Sequence, residues 1–147
     1  MTQSHSACIS VCNALLRGEL SAMEAYDQAI EKFPDAAATD DLERIRSEHS
    51  RAATRLAANV RDMGGEAQTD SGAWGVFTGA IQGTANLFGT ASAIESLRQG
   101  EEMGRKDYQN ALLNDDVMID CKLMIREEML PRVIKHIAHL EKLELTA

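Results

Sequence analysis

Residues 15–30 read LLRGELSAMEAYDQAI, and residues 97–112 read LRQGEEMGRKDYQNAL. Leu15, Gly18, Glu19, Tyr26 and Ala29 match Leu97, Gly100, Glu101, Tyr108 and Ala111, and Ile30 pairs with Leu112. The shared signature is Gly-Glu-x6-Tyr-x2-Ala-aliphatic. An internal match of this kind marks two similar halves related by an approximate two-fold axis. Both stretches have helical periodicity. Ile9, Cys12, Leu16, Glu19, Met23, Tyr26, Ile30 and Phe33 recur at alternating steps of three and four, which predicts a helix over about 6–33 with these residues on one face. Ile94, Leu97, Glu101, Gly104, Tyr108 and Ala111 do the same for a helix over about 93–113.

Each of these helices is followed by another. Leu42, Ile45, His49, Ala52, Leu56, Val60 and Met63 mark a helix over about 41–63, opened by an Asp40–Glu43 capping box and stopped by Gly64-Gly65. Met124, Leu130, Val133, Ile137 and Leu140 mark the buried side of a fourth helix, from about 115 to 143. Pro131 inside it predicts a kink or a break. Pro34-Asp35 ends the first helix, and Ser92 with Glu95 reads as the cap of the third. Short loops join helices one and two, and three and four, so each pair is an antiparallel hairpin. The link over about 64–92 is too long to join adjacent antiparallel helices and must cross over. The reading is one all-α domain over 1–147, a four-helix bundle of two hairpins.

The crossover has a pattern of its own. Gly75, Gly79 and Gly83 recur every four residues, and Trp74, Phe77 and Ile81 form a bulky ridge. This predicts a short helix near 74–88. Trp74, Phe77, Gly79 and Phe88 would be its contact surface, against the bundle, a second copy in a homodimer, or another protein partner.

Composition narrows the function classes. Hydrophobic residues make up 44 % of the 147 residues and aromatics only 4 %, which favours helices over strands. The formal net charge of -8 repels phosphate backbones and anionic lipid, so nucleic acid is not an expected partner. The stretch 71–94 has no charged residue, but it carries Thr78, Gln82, Thr84, Asn86 and five glycines, so no membrane span is expected. The three cysteines have no framework spacing, and the first residues do not read as a signal peptide, which points to a reducing, cytoplasmic setting. There is no phosphate loop, nucleophile elbow or Cys-x2-Cys pair, so no catalytic residue is assigned.

The chemistry centres on Glu19 and Glu101. Each falls on the apolar seam of its helix, where a carboxylate needs a metal, a cation or a proton. Tyr26 and Tyr108 lie two turns further along the same faces, placed to bond the carboxylate of the other half. Glu-x6-Tyr in the first and third helices, with a His inside the second, resembles the rubrerythrin and ferritin superfamily. From about residue 8 to 143 the chain resembles a bacterial branch of it known only as a domain of unknown function.

The resemblance implies a ferritin-like bundle. It also implies a di-iron site taking single glutamates from helices one and three and Glu-x2-His from helices two and four. Glu19 and Glu101 match the single glutamates and His49 matches one histidine. Arg46, however, stands where its glutamate belongs. Glu127 or Glu128 offers a carboxylate in the fourth helix, but Leu130 and Pro131 stand three residues on. The di-iron pattern is therefore degenerate. Glu19, His49, Glu101 and Glu128, with Glu48 in reserve, remain for a single iron, manganese or zinc ion.

The competing expectation is that Arg46 enters the cluster and neutralises the carboxylates, supported by Tyr26 and Tyr108, with no cofactor. On that reading Glu19→Leu is tolerated, provided no partner is stranded. His5, Cys8 and Cys12 share a face, but such cysteines are usually small core residues. His136 and His139, beside Arg132, Lys135 and Lys142, read as a solvated surface. The function expected is a non-enzymatic interaction or structural module. The alternative is a mononuclear metal-binding or redox protein related to rubrerythrin, acting in oxidative stress.

Overall fold

The structure, a computed structural model, describes residues 2–34, 37–71 and 89–146. All regular structure among them is helical: α1 (Thr2–Lys32), α2 (Thr39–Asp62), α3 (Thr90–Leu113), α4 (Ile119–Met124), a π-helical turn (Ile125–Met129) and α5 (Leu130–Thr146). α4, the π turn and α5 follow one another without a gap as a fourth rod. The crossover residues Trp74, Phe77, Gly79 and Phe88 lie outside the described residues.

α2 stops as its glycines predict. Gly64 adopts φ +85°, a conformation that costs a residue without Cβ little. The N–H of Gly65 donates to Val60 and that of Gly64 to Arg61, both at 2.9 Å, the two bonds of a Schellman turn. A Cβ on Gly65 would fall 2.8 Å from Ile9, so this turn closes tightly on α1. The helix starts differ from the sequence reading. α2 begins at Thr39 and has no side-chain cap, so Asp40 and Asp41 lie in its first turn, where they favour the positive end of the helix dipole. The Thr39 hydroxyl donates instead to the Phe33 carbonyl at 3.2 Å and ties the loop together. α3 begins at Thr90 behind Gly89 at φ +87°, which leaves Ser92 inside the helix rather than capping it.

The crossover begins by climbing α1. The Asn13 amide donates to the Glu66 carbonyl at 3.0 Å, the Gln68 N–H donates to Asn13 Oδ1 at 3.1 Å, and the Ser71 hydroxyl donates to Glu24 at 3.0 Å. The chain thus moves from the end where α2 stops towards the end where α3 starts. The first turns of α3 pack with Tyr26, Ala29 and Leu42, and its last turns with Leu15 and Leu56. α3 therefore runs antiparallel to α1.

The core is layered along this axis. Tyr26, Ile45, Ile94, Leu97 and Leu140 fill one end. Leu16, Leu56, Met124, Ile125, Met129 and Val133 fill the middle. Cys8, Cys12 and Cys121, all free thiols, pack with Val60 and Val117 at the other end. Burial pushes the Cys12 thiol up to about 12, as suits a core residue.

Pro131 does not break the fourth rod. A proline has no N–H for the carbonyl four residues back, here Glu127, and its ring collides with that carbonyl. The π turn just before it absorbs the conflict: Leu130 N–H reaches Ile125, five residues back. The extra residue also resets the buried face. Cys121 and Ile125 are buried up to the start of the turn, and an unbroken α-helix would bring Glu128 inward next. Met129 and Val133 are buried instead.

Gly18 and Gly104 are interior to α1 and α3, and a Cβ built on either meets nothing within 4 Å. Alanine at each site is expected to raise stability by up to about 1 kcal/mol, since glycine weakens helix interiors and nothing here needs it for packing. Thermal melts of Gly18→Ala and Gly104→Ala check this; a fall in Tm would show that the space is needed.

Candidate metal centre

Glu19 of α1, His49 of α2, Glu101 of α3 and His136 of α5 meet at the centre, each from a different rod and each at most 4 % exposed. The His49 ring lies between the two carboxylates. Its Nδ1 is 2.6 Å from Glu19 Oε1 and its Nε2 is 2.6 Å from Glu101 Oε2. The tyrosines cross between the halves as the repeat predicts: Tyr26 donates to Glu101 at 2.6 Å and Tyr108 to Glu19 at 2.5 Å.

Two further residues complete the cluster. Nδ1 of His136 lies 3.4 Å from the Glu101 carboxylate, and its Nε2 lies 2.8 Å from Glu48. Arg132, whose side chain is 14 % exposed, donates to Glu19 at 2.9 Å.

Burial alone would hold these acids neutral and remove the charge from His49. The partners decide otherwise. Against the desolvation of Glu19, Arg132, His49 and Tyr108 hold its pKa down at about 2. His49 and His136 hold Glu101 well below the usual carboxylate range, also against burial. Burial opposes the charge on His49, but Glu101 and Glu19 outweigh it and raise its pKa to about 9. Burial and the adjacent carboxylates push both tyrosine hydroxyls up, so they stay protonated donors. Among Glu19, Glu101, His49 and Arg132, two anions face two cations.

Three sequence-based expectations are corrected here. Arg46 does not enter the cluster. It follows the buried Ile45 on the flank of α2, and its guanidinium pairs with Asp27 at 2.8 and 3.2 Å. The internal guanidinium is that of Arg132. Glu128 is turned out by the π turn; its side chain is 51 % exposed and faces Arg55 at 3.2 Å. His136 is buried rather than solvated. The signal for it was present, because Val133, His136, Ile137 and Leu140 share one helical face. His139 does lie nearer the surface, 3.3 Å from Asp41.

Glu48 bonds His136, which places it one layer out from Glu101. Among the described residues, the side chains whose ligand atoms converge in the manner of a metal site are His49, Glu101 and His136, all within 4.8 Å of one another. No described helix is long and apolar enough to cross a membrane.

One family profile matches residues 7–114, and its description is a domain of unknown function, DUF2383. The matched span holds Glu19, Tyr26, His49, Glu101 and Tyr108 and ends before Arg132 and His136. No curated protein and no solved structure matches the chain. The profile covers well over half of the 147 residues, and the chain therefore belongs to the DUF2383 family.

Proposed function

We propose that this protein is a ferritin-like four-helix bundle that holds one divalent transition-metal ion, iron, manganese or zinc, between His49, Glu101 and His136. One observation carries the reading. Each histidine turns one ring nitrogen towards Glu101 and the other onto a carboxylate, Glu19 for His49 and Glu48 for His136. Metal-bound histidines are held in this way, because the outer carboxylate fixes the tautomer and raises the basicity of the ligating nitrogen. Two imidazoles and one carboxylate suit these ions and leave coordination positions open.

The spacing fits with two adjustments, the first being that the three ligand atoms, which spread over up to 4.8 Å, draw together around the ion. Ligand atoms about 2.1 Å from an ion in octahedral or tetrahedral geometry are roughly 3.0–3.4 Å apart. The His136–Glu101 separation of 3.4 Å meets this, whereas the 2.6 Å between His49 and Glu101 is that of a bridging proton. To hold an ion, His49 would have to give up the proton it shares with Glu101. A second ion lacks ligands, since Arg46 and Val133 stand three residues before the two histidines, where a di-iron bundle carries glutamates. Tyr26 holds Glu101, while Tyr108 and Arg132 hold Glu19 as a counter-charge. An ion bound there supplies Lewis-acid chemistry or, as iron or manganese, one-electron chemistry.

Elemental analysis of protein purified without chelators tests the reading, with about one ion per chain expected. Affinity for Mn²⁺ or Zn²⁺ by calorimetry should rise about tenfold per pH unit up to pH 9, because each ion releases the His49 proton. His136→Ala should weaken binding roughly 100-fold. No binding of any of the three ions at pH 8 would end the reading.

A second reading has its own support. Arg132 and protonated His49 balance Glu19 and Glu101 without an ion, as a purely structural or interaction module requires. It calls for no bound ion and no effect of His136→Ala on metal content.

A further inference from the structure

We infer that the cleft between α1 and α3 is the entrance by which small uncharged molecules reach His49 and Glu101, and that it excludes anions and hydrated metal ions. What is reached rests on the metal reading; the opening itself does not.

A cavity of about 40 Å³ runs from Met103, Gly104 and Asp107 to Glu19, His49 and Glu101. Met103 is 46 % exposed, so the outer end meets solvent. Gly18 and Gly104 flank it, one on each helix, and a Cβ on either would stand in open space. The missing side chains are what keep the passage clear.

Its size and lining select what passes. One water needs roughly 10–15 Å³ on this measure, so the cavity takes two or three waters or a diatomic gas, and not a divalent ion with its hydration shell. Asp107 stands at the mouth, where its carboxylate repels anions, while Glu19 and Glu101 at the floor are balanced by Arg132 and His49 and offer an anion no free positive charge. Leu15, Ala22 and Val133 give the rest of the wall an apolar surface. On the far side, the cleft between α2 and the π turn meets Arg132 and Glu48, whose hydrogen bonds to Glu19 and His136 stand across the way to the cluster.

Two probes test this. Xenon applied to the metal-free protein should shift the Leu15 and Val133 methyl resonances, and Gly104→Leu should abolish the shifts. In Fe²⁺-loaded protein, nitric oxide should bind to the iron at least tenfold more slowly in Gly104→Leu than in the wild type, with Fe²⁺ affinity unchanged within twofold. Azide should bind in neither. Gly18→Leu, on the opposite wall, repeats the test should Gly104→Leu fail to fold. Xenon shifts and nitric oxide rates untouched by both substitutions would overturn the inference, as would azide binding as fast as nitric oxide. Xenon shifts that depend on the glycines in a protein that retains no Fe²⁺ would uphold the entrance and defeat the metal reading alone.

Discussion

Glu19→Leu should destabilise the metal-free protein by about 3–5 kcal/mol, a fall in Tm of roughly 10 °C or more. The cost comes from what is left behind. Arg132, the Tyr108 hydroxyl and one ring nitrogen of His49 all lose the acceptor they share, at a site that is largely buried. Removing one member of a buried charge network leaves the rest uncompensated, and each stranded donor carries its own desolvation penalty. This reverses the tolerance expected from sequence, which did not include Arg132. Glu19→Gln keeps an acceptor oxygen and should lose less. Urea and thermal melts followed by circular dichroism decide the matter, and a Tm within two degrees of the wild type would contradict the network.

The second large effect is on the pH dependence of the metal-free protein. His49 has a folded pKa of about 9 against an ordinary 6.5. Its raised pKa stabilises the fold fully below pH 6.5, and that contribution is lost as pH rises through 9. The loss is on the order of 3 kcal/mol. Glu19 works in the opposite direction. With a folded pKa of about 2 against 4.5, its contribution is present above pH 4.5 and is lost as pH falls towards 2. The two shifts describe one shared interaction from both sides and are not added. Metal-free protein is thus most stable between about pH 4.5 and 6.5, measured as the urea midpoint. A flat midpoint from pH 6.5 to 9.5 would mean that His49 carries no charge. A bound ion takes the place of the proton, so the loaded protein should lose this alkaline decline.

How much of this was legible in the sequence depends on the residue. The four helices followed from the periodicity of their seams, and the Tyr–Glu exchange followed from the repeat, because a shared spacing in two antiparallel helices fixes which residues face each other. His49 stood on its seam and was found there. His136 shares the face of Val133, Ile137 and Leu140 and was passed over because Arg132, Lys135 and Lys142 beside it read as a solvated surface. Arg132 was missed for a reason of helix geometry. The fourth rod carries a π turn, and one extra residue shifts the inward face, so a pattern read at uniform helical pitch selects Glu128 and passes over Arg132 behind it. Pro131 signalled an irregularity but not how the chain resolves it. Arg46 was misassigned because spacing from His49 places a residue on a turn of helix without saying whether its long side chain reaches inward or out to Asp27.

The Tyr–Glu exchange also bears on how the chain is made. Tyr108 and Arg132 follow Glu19 by 89 and 113 residues, so the first hairpin leaves the ribosome with its central carboxylate paired to His49 alone. Nothing in α1 and α2 alone neutralises it except His49, whose second nitrogen in turn awaits Glu101. The first hairpin therefore emerges before the partners that complete its central cluster. Docking of the two hairpins closes contacts far apart in sequence, which form more slowly than those within a hairpin, so the charge network is expected to be completed late in folding.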